Sequence, residues 1–312
     1  MTNEHATGRD ESGSPSSSLT RLTIGEVVKV LQPEFPELTM SSLRFLERIG
    51  LLAPERTPGG HRLYSLQDIE RIRQIKRWQR ARLSLAEIRE RLERMAQHDP
   101  TKLAAQLLEL LLQARTAEAE QLMHDAVESG MTLPVLFEYV FAPALRELGE
   151  RWARGEITIG QEHEVSAAIR ELVTMLTSQA PRPTITREPV VAACVEGELH
   201  ELGLYMAACL LESFGYDVHY LGANTPIDDI VDAVRRWHAP LVILAAVYPE
   251  HLPALLKTIE RLDRLSPTVR PRWIVVGGHA ALMQSSWPGR LPVIPLGHFP
   301  QSVEEFAQLL KT

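Results

Sequence analysis

The period of the hydrophobic pattern changes once along the chain, and this change limits the possible folds more than any other feature. Between residues 100 and 178 apolar residues recur every three or four positions, through LAAQLLELLLQA, AEAEQLMHDAVESG, LPVLFEYVFAPALRELGERWARG and GQEHEVSAAIRELVTML. That is a helical period, and four helices with short connections make a bundle. The stretch QAPRPTITREP follows, with three prolines in eleven residues. It predicts an extended linker. Beyond it come short runs rich in valine and isoleucine: PVVAACV, DVHYLG, LVILAAV, RWIVVGG and VIPLG. Helical patterns over residues 202–214, 228–237, 252–262 and 303–310 alternate with them. Alternating strands and helices predict a parallel sheet covered on both faces. In such sheets ligands sit at the carboxyl ends of the strands.

Composition sets the broad class. With 312 residues, 45% hydrophobic and 23% charged, the chain is neither fibrous nor wholly disordered, and its length suits about two or three domains. No apolar run approaches the ~18–20 residues of a membrane helix. The first twenty residues have neither the apolar core nor the basic lead of a secretory signal. They are rich in serine and glycine and read as a disordered tail. Two cysteines, Cys194 and Cys209, are too few for a disulfide framework or a cysteine-rich zinc site. A cytoplasmic protein with no membrane partner is expected.

The net charge of −7 is unevenly spread. Residues 21–98 carry 15 basic and 10 acidic side chains, whereas residues 99–312 carry 17 basic and 27 acidic. A basic block on an acidic remainder suggests that one end meets a polyanion. Within that block LTIGEVVKVL reads as a helix, and Thr39 caps a second, MSSLRFLERIG. The pair forms a helix-turn-helix. Pro58, Gly59 and Gly60 then make a tight turn between extended segments, with Arg56, His61 and Arg62 around it. This reads as a wing for the phosphate backbone. A helix over 66–83 follows, with a basic face of Arg71, Arg73, Lys76, Arg77 and Arg80. Phe45 and Leu46 read as core.

TIGEV, LRFLERIGLLAPERT and GGHRLYS, followed by a D-I-E-R-I helix, resemble the MerR family of winged-helix transcription regulators across about residues 21–95. The resemblance implies contacts to double-stranded operator DNA from Thr39, Ser42, Arg44, Arg56, His61, Arg62 and Tyr64. Phe45 stands where the family usually has tyrosine, and the insertion QPEFPEL between the first two helices is longer than usual.

The most distinctive segment of the α/β half is Glu198-Leu199-His200-Glu201-Leu202-Gly203, between the first strand and its helix. A neutral imidazole there has a nitrogen lone pair for a metal while a carboxylate holds its other nitrogen. Gly203 lets a bulky ligand approach the backbone. A histidine in such a loop is more often solvated or hydrogen-bonded than a ligand. However, Glu198-x-His200-x-x-Gly203, the strand LVILAAV and Gly277-Gly278 together resemble the cobalamin-binding domain family. That resemblance implies a Rossmann-like parallel α/β domain over 188–312, with His200 as the lower cobalt ligand and Glu198 as its partner. Gly203, Gly277 and Gly278 would make room for the nucleotide tail. Ala245 stands where the family has serine, so one hydrogen bond to that tail is missing.

In the bundle, residues 99–179, Trp152 precedes Glu162-His163 by ten residues. This Trp-x9-Glu-His spacing resembles the light-sensing CarH/LitR group of MerR regulators. The resemblance implies that the bundle caps the upper corrin face, with Trp152 over the axial group and Glu162 and His163 at the adenosyl moiety. A flat indole excludes water, and a carboxylate accepts ribose hydroxyls. Some relatives carry histidine after the tryptophan, and here it is Ala153, which implies a different light product.

The expected function is a light-responsive repressor that binds adenosylcobalamin, forms a homo-oligomer (dimer or tetramer) on DNA in the dark, and lets go in the light. Ala153 and Ala245 leave open a light-independent sensor of methyl- or hydroxocobalamin, or a bilin-binding regulator. A corrinoid carrier module of a methyltransferase fits the bundle and sheet but not the basic block. His279 and His298 lie near strand ends, yet no nucleophile–base pair, P-loop or zinc spacing is legible, so an enzyme is not expected.

Overall fold

The computed structural model describes residues 21–311 except 33–34, 58, 81–82, 98, 181–183 and 185–186. The expected tail of residues 1–20, the start of the long insertion and Pro58 of the wing turn lie outside the described residues. The chain divides into two compact units, residues 1–88 and 89–312.

The first unit opens with β1 (Leu22–Thr23), α1 (Ile24–Leu31) and α2 (Met40–Arg48). The wing is β2 (Glu55–Arg56) and β3 (Arg62–Tyr64), antiparallel, with Arg56 opposite Arg62. β1 adds to the other edge of β3. Helix α3 (Leu66–Arg80) follows, and α4 (Leu85–Gln97) crosses the boundary between units. The fold closes on Val27, Leu31, Leu43, Leu46, Ile72 and Ile75, each at most 1% exposed. These recur at three- and four-residue spacing, so each helix buries one stripe. Each such aliphatic side chain contributes about 1.5–3 kcal/mol of transfer free energy.

In the second unit the bundle comprises α5 (Pro100–Leu112), α6 (Thr116–Glu128), α7 (Leu133–Leu136) running through a π-helical turn, Phe137–Phe141, into α8 (Ala142–Ala153), and α9 (Ile159–Gln179). Pro143 follows the π turn directly. A proline cannot donate the usual helical bond, so a widened turn there accommodates it. Phe137, Val140, Phe141, Leu148, Ile169 and Val173 form the bundle core.

The α/β part runs β4 (Pro189–Val195), α10 (Leu202–Ser213), β5 (Asp217–Thr225), α11 (Ile227–Trp237), β6 (Leu241–Ala245), a 3-10 turn (Pro249–His251), α12 (Leu252–Asp263), β7 (Trp273–Gly277), α13 (His279–Leu282), β8 (Val293–Pro295) and α14 (Val303–Leu309). The sheet is parallel throughout, in the order β5-β4-β6-β7-β8. This is a doubly wound sheet of flavodoxin-like order, and its strand order reverses between β4 and β6. The crevice for a ligand therefore opens beside the loops after these two strands. Bundle and sheet share one core: Met206, Cys209 and Leu210 of α10 pack with the bundle helices.

Candidate functional site

Glu198 is the centre of the switch-point crevice. It follows β4, is 0% exposed, and uses both carboxylate oxygens. Oε1 accepts from the backbone N–H of His200 at 2.9 Å and lies 2.7 Å from His200 Nδ1. Oε2 accepts from the Val247 N–H at 2.7 Å and the Tyr248 N–H at 3.4 Å, both after β6, and lies 2.8 Å from Nδ1 of His251. One side chain thus ties together the two loops at the strand reversal. Burial opposes its ionisation. The bonds from the His200 side chain and backbone, Val247 and His251 outweigh that and hold the carboxyl far below the usual range.

An ionised carboxylate only accepts, so both histidines present Nδ1–H to it. In the neutral His200 ring, Nε2 then keeps the free lone pair. The Glu198 hydrogen bond raises the His200 pKa against the opposing effect of burial, and the charges of Glu198, Glu162 and Glu250 raise it further. The His200 side chain is 55% exposed and lies edge-on to Tyr248, with ring centroids 4.8 Å apart. A basic, half-open imidazole with a fixed tautomer is the donor that a cobalt ion takes.

The space around it fits a large planar ligand. A Cβ on Gly203, in the first turn of α10, would meet nothing within 4 Å, and one on Gly277 would meet only the Leu296 carbonyl oxygen at 3.8 Å. Gly278 has a different reason for being glycine. Its φ is +94°, and a Cβ would lie 2.6 Å from the Ala246 carbonyl carbon. Ala245 ends β6 opposite Cys194 and Gly277, and is buried. It offers no side-chain hydrogen bond. The Cys194 thiol is pushed up to about 12 by burial, then by the Glu198 and Glu201 charges, so it is inert.

The bundle reaches this crevice through α9. Thr158 caps that helix by accepting from the Gln161 N–H at 3.2 Å. Trp152, 45% exposed, ends α8, and Gly155 N–H bonds back to its carbonyl at 2.9 Å, so the tryptophan and the start of α9 share one end of the bundle. Glu162 accepts from Ser166 Oγ at 2.7 Å, and its charge acts on His200. His163 is 72% exposed, 3.7 Å from the Glu162 carboxylate. Arg170, about 12 Å further along α9, is paired with Glu201. Glu201 also accepts from Tyr220 Oη of β5 at 2.7 Å. His279 is exposed at the start of α13, and His298 pairs with Glu305 at 3.3 Å, which raises its pKa.

Sequence reasoning missed His251, Tyr248, Arg170 and Glu201 as parts of the site. The signal for the first two was their position just beyond the third strand of the sheet, where only Ala245 was weighed.

The DNA-facing unit holds both agreements and corrections. Thr39 and Ser42 close a reciprocal cap on α2: Ser42 N–H donates to Thr39 Oγ1 at 3.1 Å and Thr39 N–H to Ser42 Oγ at 2.9 Å. Arg44 and His61 are exposed. Arg56 and Arg62 are gripped by Glu47 of α2 at 2.6 and 2.5 Å. Tyr64 is a correction. It is 0% exposed, so its ring belongs to the core rather than to a DNA contact. Phe45 is the reverse case, 37% exposed under the Arg48 guanidinium, while Leu46 is buried as expected. On α3, Arg73 and Lys76 are buried, and Arg71 donates to the Leu51 carbonyl at 2.8 Å. Those three are not an open basic face.

Comparison with known proteins decides the family. Residues 22–95 match the MerR HTH family regulatory protein, residues 103–177 a B12 binding domain, and residues 188–290 another B12 binding domain. The chain is 32% identical over 280 residues to the HTH-type transcriptional repressor CarH of Myxococcus xanthus, covering 85% of this chain and 91% of that one. The chain belongs to the CarH-like MerR regulators. It is also 24% identical over 172 residues to dimethylamine corrinoid protein 1 of Methanosarcina mazei, covering 54% of this chain and 74% of that one. The monomethylamine corrinoid protein of Methanosarcina barkeri is a structural neighbour at TM-score 0.47 and 15% identity, over 58% of this chain and 86% of that one. As a CarH-like regulator the protein is a DNA-binding module joined to B12-binding domains, not an enzyme. Its cofactor class is cobalamin. Among the described residues no helix is long and apolar enough to cross a membrane.

Proposed function

We propose that this CarH-like regulator is a light-responsive cytoplasmic repressor that uses adenosylcobalamin, binding operator DNA as a homo-oligomer in the dark and releasing it on illumination. The supporting observation is the buried Glu198, which fixes His200 Nδ1 and leaves Nε2 bare at the strand reversal. His200 is the lower ligand, and Gly203 and Gly277 leave the open space that a nucleotide tail requires. When bound, adenosylcobalamin supplies a cobalt–carbon bond that light breaks. The chain's own groups do the rest. Trp152 presents an exposed indole that excludes water, and Glu162 and His163 offer polar atoms to a ribose. Arg44, Arg56, His61 and Arg62, with the capped start of α2, meet the phosphates and bases. The basic unit argues against a carrier module for a methyltransferase.

Ala153 and Ala245 favour one second reading, a sensor that takes cobalamin without responding to light. Both are decided by the visible spectrum of the protein with adenosylcobalamin, dark and then illuminated, alongside size-exclusion runs. A bound spectrum that shifts in light with a change in elution is expected, and His200→Ala should lose the bound spectrum. Binding without a light-linked change in size would select the second reading. Absence of binding would remove both.

A further inference from the structure

The second histidine on Glu198 has no counterpart in the sequence signature that led to the site. His251 closes the 3-10 turn after β6, is 17% exposed, and places Nδ1 2.8 Å from Glu198 Oε2. Its ring is wedged in place. Gly197, immediately before Glu198, has φ +90°, and a Cβ there would lie 3.0 Å from His251 Cδ2. Gly197 itself is tethered, its N–H donating to Asn224 Oδ1 at 2.7 Å, while the Asn224 N–H donates to the Glu198 carbonyl at 2.7 Å. The residues that flank and hold Glu198 therefore also position the His251 ring.

We propose that His251 is a positioning residue, whose Nδ1–H anchors Oε2 of Glu198 so that Oε1 alone faces His200 and locks the His200 ring with its proton on Nδ1. The inference rests on the reading of His200 as the cobalt ligand only for its functional consequence. A carboxylate with Oε2 held only by the Val247 and Tyr248 backbone can rotate about its terminal bond, and the ring it orients then samples both tautomers. Outer partners of metal-binding histidines typically govern affinity by about ten- to a hundredfold.

The test uses the full chain and two variants. His251→Ala removes the donor. His251→Asn restores a side-chain N–H close to where Nδ1 sits. The tautomer of His200 is read without cofactor, from ring-nitrogen NMR shifts at alkaline pH where the ring is neutral, with His200→Ala for assignment. Affinity is read separately by absorbance titration with hydroxocobalamin. The proposal expects one tautomer in the natural chain, a mixture in His251→Ala with affinity weakened about ten- to a hundredfold, and recovery of both in His251→Asn. A single His200 tautomer retained in His251→Ala overturns the proposal, whatever happens to affinity. Equal damage from Ala and Asn also overturns it, because His251 would then be packing alone. A mixed tautomer with unchanged hydroxocobalamin affinity sustains the hold of His251 on His200 and instead removes His200 as the ligand.

Discussion

Gly278 and Glu198 show how single residues set this site. At Gly278 the backbone combines φ +94° with ψ 151°, a region only glycine occupies freely. Gly278→Ala should cost about 1–3 kcal/mol of backbone strain, plus the displacement of the Ala246 carbonyl, and a urea titration of the two proteins would measure it. Glu198 predicts a pH dependence. Burial disfavours its charge, yet its hydrogen bonds depress the folded pKa far below the unfolded value. Its contribution is therefore present above the unfolded pKa of about 4.3 and is lost as pH falls toward the folded one. His200 has the opposite sign. Its pKa is raised, so its contribution is full below about 6.5 and fades as pH rises through the folded value. Urea midpoints across pH should fall on the acid side, and Glu198→Gln should flatten that fall while lowering stability at neutral pH. An unchanged acid slope would show that other carboxylates dominate it.

At the scale of elements, the wing and α2 act as one piece because Glu47 holds Arg56 and Arg62 together. Two arginines that would otherwise repel across the β2–β3 pair are brought side by side. The carboxylate occupies them in the free chain much as a phosphate would. Glu47→Gln should free both cations. Its DNA binding is expected to be tighter at low salt, with the slope of log affinity against log salt steeper by up to about two phosphates' worth. The sequence pattern made the helices of this unit legible, since their apolar stripes keep one period. It misjudged which charges on α3 are open, because Arg73 and Lys76 are covered by packing that no local pattern encodes. It likewise put Phe45 inside and Tyr64 outside. Hydrophobicity orders residues by preference, whereas the angle of a three-residue strand against its neighbours decided these two.

For the second unit as a whole, bundle and sheet are joined by a shared apolar core and by the chain of contacts from Arg170 through Glu201 to Tyr220. Arg170 also lies 4.6 Å from the Tyr205 ring, and Tyr205 Oη pairs with Thr174 Oγ1 at 2.8 Å. The join sits one residue from His200. Whatever displaces the His200 loop is thus felt in α9. Arg170→Ala should speed hydrogen exchange in α9 while leaving β4 and β6 protected, and equal exchange in α9 would show that the apolar core alone holds the bundle. The same unit is where sequence was strongest and weakest. The alternation of strands and helices, and a histidine motif after the first strand, marked a parallel sheet with its site at the strand ends. The strand order, with its reversal between β4 and β6, was beyond any local pattern.

The amino-acid sequence by itself determined the period of each segment, the linker between bundle and sheet, the charge of the N-terminal block and the place of His200 in its loop. These depend on residues close together in the chain, and the spacing of side chains along a helix or strand expresses them directly. Tertiary structure alone decided that Glu198 would hold His200 and His251 at once, that Glu201 would meet Arg170 some thirty residues away, and that Tyr64 would be enclosed. Such pairings depend on which loops the sheet brings side by side. That placement follows from burying every apolar face together, and no stretch of sequence carries it alone.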